Sequence, residues 1–119
     1  MLQIALQRAY TDPTDNDGYR VLVDRLWPRG RKKEDLRLDA WLKDIAPSTE
    51  LRKEFGHNPT RWEEFKQLYF EELDNCQEQI EELLARAAQG RLTLVFAAKD
   101  EQHNNAVALR EYLQERMSG

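Results

Sequence analysis

Cysteine is almost missing from this chain of 119 residues: Cys76 stands alone. One thiol closes no internal disulfide and supplies no thiolate cluster for structural zinc. Long apolar runs are missing too, since no stretch reaches the roughly 18 consecutive apolar residues that a membrane-crossing helix needs. The start of the sequence carries no charged leader followed by an apolar stretch, so a cytoplasmic location is expected. There is no glycine-rich phosphate loop, no Gly-x-Ser-x-Gly elbow and no His-Glu-x-x-His zinc helix. A metal site built from His57, His103 and Cys76 would need distant segments to meet, and neither a metal nor another cofactor is expected. Positive charge is in short supply, with 18 Lys and Arg against 22 Asp and Glu and a formal charge of −4. That balance argues against generic adhesion to nucleic acid or to an anionic membrane.

What is present suits a folded domain. Hydrophobic residues make up 40% and charged ones 34%, with three tryptophans, four tyrosines and four phenylalanines to bury. The length fits one domain over residues 1–119. Charge is unevenly spread, however. Residues 25–33 contain Arg25, Arg29, Arg31, Lys32 and Lys33 without an acid, whereas residues 63–82 are densely acidic. Solvated surface explains this asymmetry as readily as a binding role does.

Period-two alternation of Ile4 and Leu6 predicts a strand over residues 3–8, and the turn-rich segment 11–18 follows as a loop. Residues 19–24 read as a second strand whose Val21-Leu22-Val23 centre suggests burial on both faces, as in an inner parallel strand. One helical turn fits residues 32–36, while residues 39–45 suit a strand or a short helix. Ser48 or Thr49 caps a helix running to about Phe55 and closed by Gly56. The spacing of Trp62, Phe65, Tyr69, Leu73, Cys76, Ile80, Leu83, Leu84 and Ala87 predicts one amphipathic helix of about seven turns. Its start is either a capping box at Thr60 or the Asn58-Pro59 pair. Cys76 falls on its apolar stripe and reads as a core residue. Residues 92–98 form another buried strand, and Asn104 or Asn105 opens a terminal helix. The order of elements predicts an α/β fold: a small, mostly parallel sheet flanked by helices in a single compact domain.

Ligands of open parallel sheets collect beyond the carboxyl ends of the strands. Two charged strand exits, residues 24–30 and 99–104, answer that description. If their strands are neighbours, Arg25, Arg29, Lys99 and His103 converge on one phosphate or carboxylate, helped by the helix start at Asn104. Trp27 either stacks on a planar ring of the ligand or lids the core, and Asp24 otherwise pairs internally with an arginine. Histidine is a side chain suited to general acid/base work, and His103 follows Asp100 by three residues, the elements of an acid/base pair. Equally, Asp100 caps the last helix and His103 faces solvent. His57, in a Gly-His-Asn-Pro turn, reads as structural.

The ordered segments 18–30, Trp41-Leu42-Lys43-Asp44-Ile45-Ala46-Pro47-Ser48, Phe55-Gly56-His57, Arg61-Trp62 and Ala97-Ala98-Lys99-Asp100 resemble the YeaO-like branch of the domain-of-unknown-function 488 family over nearly the whole chain. The resemblance implies a compact α/β domain, with an Asp-Val-Arg motif after one strand and a Cys-His-Arg-like motif near a later strand exit. Here the corresponding stretches are Asp24-Arg25-Leu26 and Gln102-His103-Asn104, so Asp24 and His103 are the candidate catalytic residues it transfers. It names no reaction.

The expected function is binding of a small anionic, phosphate- or nucleotide-like ligand by Arg25, Trp27, Arg29, Lys99 and Asn104. Turnover stays open; metal-independent hydrolysis or transfer with His103 as acid/base is its simplest form. The competing expectation is a non-enzymatic module whose basic loop meets an acidic protein or nucleic acid, with Trp27 as anchor. A chiefly structural accessory domain is the third.

Overall fold

Alternation along two strands decides which way the sheet faces. In the computed structural model, which describes residues 3–118, β1 (Ile4–Arg8), β2 (Tyr19–Leu22), β3 (Ala40–Trp41) and β4 (Leu92–Phe96) form one sheet in the order β1-β4-β2-β3. Every pairing is parallel, with Leu94 opposite both Leu6 and Val21. Thus β2 is an inner strand, as its apolar centre predicts. All five residues of β4 are buried, because helices or loops cover both of its faces.

On one face Leu92, Leu94 and Phe96 join Val21 and Val23 beneath α2 (Thr49–Phe55), α3 (Trp62–Leu73), α4 (Gln77–Gln89) and α5 (Asn105–Ser118). On the other, Leu22 and Val95 meet Ala9 and Leu36, the latter from α1 (Lys33–Leu36), and half-buried Trp27, Leu38 and Trp41 complete a smaller cluster. The two layers are unequal, the second cluster being much the smaller.

Local chemistry explains the element ends. Ser48 Oγ accepts the Leu51 N–H at 3.2 Å and starts α2; Gly56, with φ 52°, ends it. Asn58 Oδ1 accepts the Thr60 N–H at 3.1 Å, so the chain enters a 3-10 turn at Pro59–Arg61 and continues as α3 from Trp62. The Asn58-Pro59 start therefore prevails over the capping box. Asn104 Oδ1 accepts the Val107 N–H at 3.0 Å and caps α5. Residues 39–45 contain both forms that suit them, β3 followed by a 3-10 turn at Lys43–Ile45.

The single long helix is corrected to two. The chain breaks at Asp74–Cys76, where the Asn75 and Cys76 N–H groups bond the Glu72 and Leu73 carbonyls at 3.1 and 2.9 Å. Asp and Asn are weak helix formers that compete for backbone partners. Tyr112 on α5 fixes the break by donating its hydroxyl to Asp74 at 2.7 Å, and Gln77 Nε2 donates to the Leu73 and Asp74 carbonyls. Cys76 is consequently half-buried at the junction rather than within the core, its Sγ 3.6 Å from the Asp44 carbonyl. Burial pushes its thiol up, away from thiolate reactivity.

Candidate functional site

Parallel strands place all four carboxyl ends on one edge of the sheet, and a cavity of about 560 Å³ opens there. Each strand exit contributes to its wall: Tyr10 after β1, residues 24–29 after β2, the segment from Ala46 to His57 after β3, and Ala97 and Ala98 after β4. Asn104 and Asn105, at the start of α5, and Phe65 on α3 close it.

Asp24 is the structural centre of this edge. Its Oδ2 accepts the Ala97 N–H at 2.9 Å and its Oδ1 accepts Asn105 Nδ2 at 3.0 Å. Asn105 Nδ2 also donates to the Val23 carbonyl at 3.0 Å, and Trp41 Nε1 donates to the Asp24 carbonyl at 2.7 Å. One carboxylate thus ties β2 to β4 and to α5, and its own backbone receives the end of β3. Burial pushes the Asp24 carboxyl above its ordinary value, against the opposing pull of Asn105, the Ala97 N–H and Arg52. The folded chain therefore holds that proton more tightly than the unfolded chain does. Stability from this group is present below the unfolded value and is lost as pH rises through the folded one. Asp24→Asn supplies one acceptor where two are used, with an expected loss of about 1–3 kcal/mol. The deficit relative to the parent is expected to widen on acidification from pH 8 to pH 4, because only the parent gains from protonation. Paired thermal melts across that range test this; a gap independent of pH would refute it.

Arg25 leans on the segment after β3. One terminal nitrogen donates to the Ala46 carbonyl at 3.2 Å, while Nε is buried without an acceptor among the described residues. The neighbouring Ile45 carbonyl is fixed by the buried Tyr69 hydroxyl at 2.6 Å, so the wall that receives Arg25 is itself anchored to α3. The loop after β2 is pinned from the other side. Tyr10 donates its hydroxyl to the Arg29 carbonyl at 2.9 Å, and Trp27 Nε1 donates to the Arg31 carbonyl at 2.7 Å. Trp27 also packs edge-on against Trp41, with ring centroids 5.4 Å apart. It packs over the small core cluster, the lid role its sequence context allows, and it also lines the cavity.

Of the residues expected at the site, Asp24, Arg25, Trp27, Arg29 and Asn104 come together around the cavity. Lys99 and His103 are not among its lining residues. Lys99 is exposed, and His103 Nδ1 lies 3.0 Å from Asp100 Oδ2 while its ring meets Trp62 edge-on at 5.4 Å. Asp100 caps its own turn by accepting the Gln102 and His103 N–H groups, which with the His103 ring hold its carboxyl below the usual range. At the β4 exit, Asp100 and His103 are therefore engaged with each other. Arg31, part of the basic loop, turns inward, its Nε donating to the Ala9 carbonyl at 2.8 Å.

Residues missed by the sequence reading replace them. Arg52 and Lys53 lie in the last turn of α2, where they complement the helix dipole, and both line the cavity. His57 lines it as well, on a left-handed backbone with φ 55°. The only sequence signal for this group was a cationic helix end, which is commonplace. Among the described residues no three His, Cys, Asp or Glu side chains are grouped to hold a metal ion, and no helix is long and apolar enough to cross a membrane.

Comparison with known proteins adds a family. The model of DUF488-N3i, described as "Inactive DUF488-N3 subclade", matches residues 3–119. The chain is 43% identical over 112 residues to the uncharacterized protein YeaO of Escherichia coli (strain K12), covering 94% of this chain and 97% of that protein. It is 39% identical over 111 residues to the uncharacterized protein Rv3073c of Mycobacterium tuberculosis (strain ATCC 25618 / H37Rv), covering 93% of each. The uncharacterized protein Mb3100c of Mycobacterium bovis matches to the same extent. No solved structure matches the chain.

Proposed function

Because the chain belongs to the inactive DUF488-N3 subclade, within the YeaO-like branch of the domain-of-unknown-function 488 family, we propose that it binds a small anionic, phosphate- or nucleotide-like ligand without turning it over. The observation that carries this reading is the charge of the cavity wall. Arg25, Arg29, Arg52 and Lys53 line it against a single carboxylate, Asp24, in a chain whose formal charge is −4. That carboxylate is already engaged by a backbone N–H and an amide.

Guanidinium groups suit such a ligand because each offers parallel donors to a phosphate or carboxylate, and they remain charged at any physiological pH. The cavity wall also includes the apolar side chains Phe55 and Phe65, which give part of a ligand a surface that does not compete for its charge. Absence of turnover agrees with the description of the subclade and with His103, the candidate acid/base, being paired to Asp100 and not among the lining residues.

Calorimetric titration and thermal shift with inorganic phosphate, pyrophosphate and adenosine monophosphate test the proposal. Arg25→Ala and Arg52→Ala are each expected to weaken binding about ten- to hundredfold, the worth of one charged hydrogen bond. Lys99→Ala is expected to leave it within about twofold, as a surface charge screened by salt does. An unchanged response in both arginine variants, or binding only to long polyanions with a steep salt dependence, would reject the reading.

A further inference from the structure

Leu26 and Tyr10 are the large hydrophobic side chains left exposed among the described residues, at 65% and 42%, and both line the anion cavity. Scattered exposed apolar residues are ordinary on a protein surface. Their meeting at one charged opening is what distinguishes these two.

The hydrogen bonds of the rim sharpen the point. Tyr10 spends its hydroxyl proton on the Arg29 carbonyl and Trp27 its indole N–H on the Arg31 carbonyl. What these rings have left for a ligand is chiefly ring surface, one face of Tyr10 already being covered by the Arg8 guanidinium 5.1 Å from its centroid. Arg25 is bonded to the Ala46 carbonyl and Arg52 is near enough to Asp24 to act on its charge, so the contacts of these two cations are with other partners than the rings. Size agrees with this division. At about 30 Å³ for a water molecule in the liquid, the cavity of about 560 Å³ is far larger than a bare tetrahedral anion requires.

We infer that the site selects an amphipathic anion, a phosphate monoester with a flat aromatic body, over inorganic phosphate or a small aliphatic ester. The phosphate meets the arginines from the β2 exit and α2, and the ring lies along Tyr10, Leu26 and Trp27. This inference rests on the anion-binding reading above and adds the chemistry of the part that carries no charge. A dianionic head suits a wall with four cationic side chains and one engaged carboxylate.

Calorimetry with phenyl phosphate, methyl phosphate and inorganic phosphate separates the two levels. Phenyl phosphate is expected to bind at least about tenfold more tightly than methyl phosphate, as burial of one ring against apolar side chains provides. Leu26→Ser, a change at a side chain already exposed, is expected to cut that preference about threefold or more while leaving methyl phosphate affinity unchanged. Equal affinity for phenyl and methyl phosphate overturns the amphipathic assignment and leaves the anion site standing. A preference undiminished in Leu26→Ser overturns the placing of the ring on this rim. Failure of all three probes to bind overturns both readings.

Discussion

Gly18→Ala is expected to destabilise the protein by about 3 kcal/mol or more, combining left-handed strain with a steric clash. Gly18 has φ 68°, and an added Cβ would lie 2.2 Å from the Arg91 carbonyl oxygen and 2.9 Å from its carbon. Backbone cannot swing aside as a side-chain tip can. That oxygen also accepts the Tyr19 N–H at 2.9 Å, at the point where β2 and β4 enter their pairing. Relieving the clash therefore separates the starts of two inner strands. Gly30→Ala is the control, since Gly30 has φ 81° but nothing within 4 Å of its added Cβ. It is expected to show the conformational cost alone, about 1–2 kcal/mol. Urea unfolding of both variants checks the comparison, and equal midpoint shifts would show that the Arg91 contact contributes nothing.

Arg20→Leu is expected to lose about 3–5 kcal/mol, the usual consequence of removing one partner from a buried ion pair. Arg20 and Asp17 are both buried and lie 2.8 Å apart. The guanidinium also donates to the Leu36 carbonyl at 2.9 Å and to Gln7 Oε1, holding α1 against β1 and β2. Without it the carboxylate remains inside, supported by the Thr14 N–H and hydroxyl at 2.8 and 2.9 Å. Burial alone would raise the Asp17 carboxyl, but Thr14 and Arg20 outweigh it and bring the group below its usual value. A depressed carboxyl stabilises above its unfolded value and loses that contribution as pH falls through the folded one. The gap between parent and Arg20→Leu is accordingly expected to shrink as the solution is acidified through the carboxylate range. Changing Asp17 to Leu in the same chain is expected to restore a large part of the loss, since two apolar groups leave no buried charge. A double variant as unstable as the single one would contradict this account.

Both changes act at the amino ends of the strands, whereas the cavity lies at the carboxyl ends. Stability and ligand binding are therefore expected to separate: Gly18 and Arg20 variants still bind while folded, and Arg25 and Arg52 variants stay folded while binding poorly. Thermal shift with and without adenosine monophosphate reads both quantities from one set of samples.

Several elements were legible in the sequence because their signals act over a few bonds. Ser48, Asn58 and Asn104 cap with their own side chains, and the Val21-Leu22-Val23 run marks β2 as an inner strand. The interrupted helix was not legible. Leu73 and Ile80, on either side of the break, are seven residues apart, about two helical turns, so the apolar stripe stays in phase across it. Periodicity reports which face is buried and says little about whether the backbone beneath it is continuous. The Asp74-Asn75 pair is a weak local signal of the break, and Tyr112 makes it definite by bonding Asp74 once α5 packs there.

The candidate site divides in the same way. By itself the sequence determined that a strand is followed by a loop carrying Asp24, Arg25, Trp27 and Arg29 and that another ends before a helix capped by Asn104, because alternation, turn residues and caps are local properties. Tertiary structure alone decided which charges share the cavity: it brought in Arg52, Lys53 and His57, placed Lys99 and His103 outside its lining, and made Asp24 a tie between strands. Convergence of that kind depends on which faces of separate elements pack together, and no window of neighbouring residues carries that information.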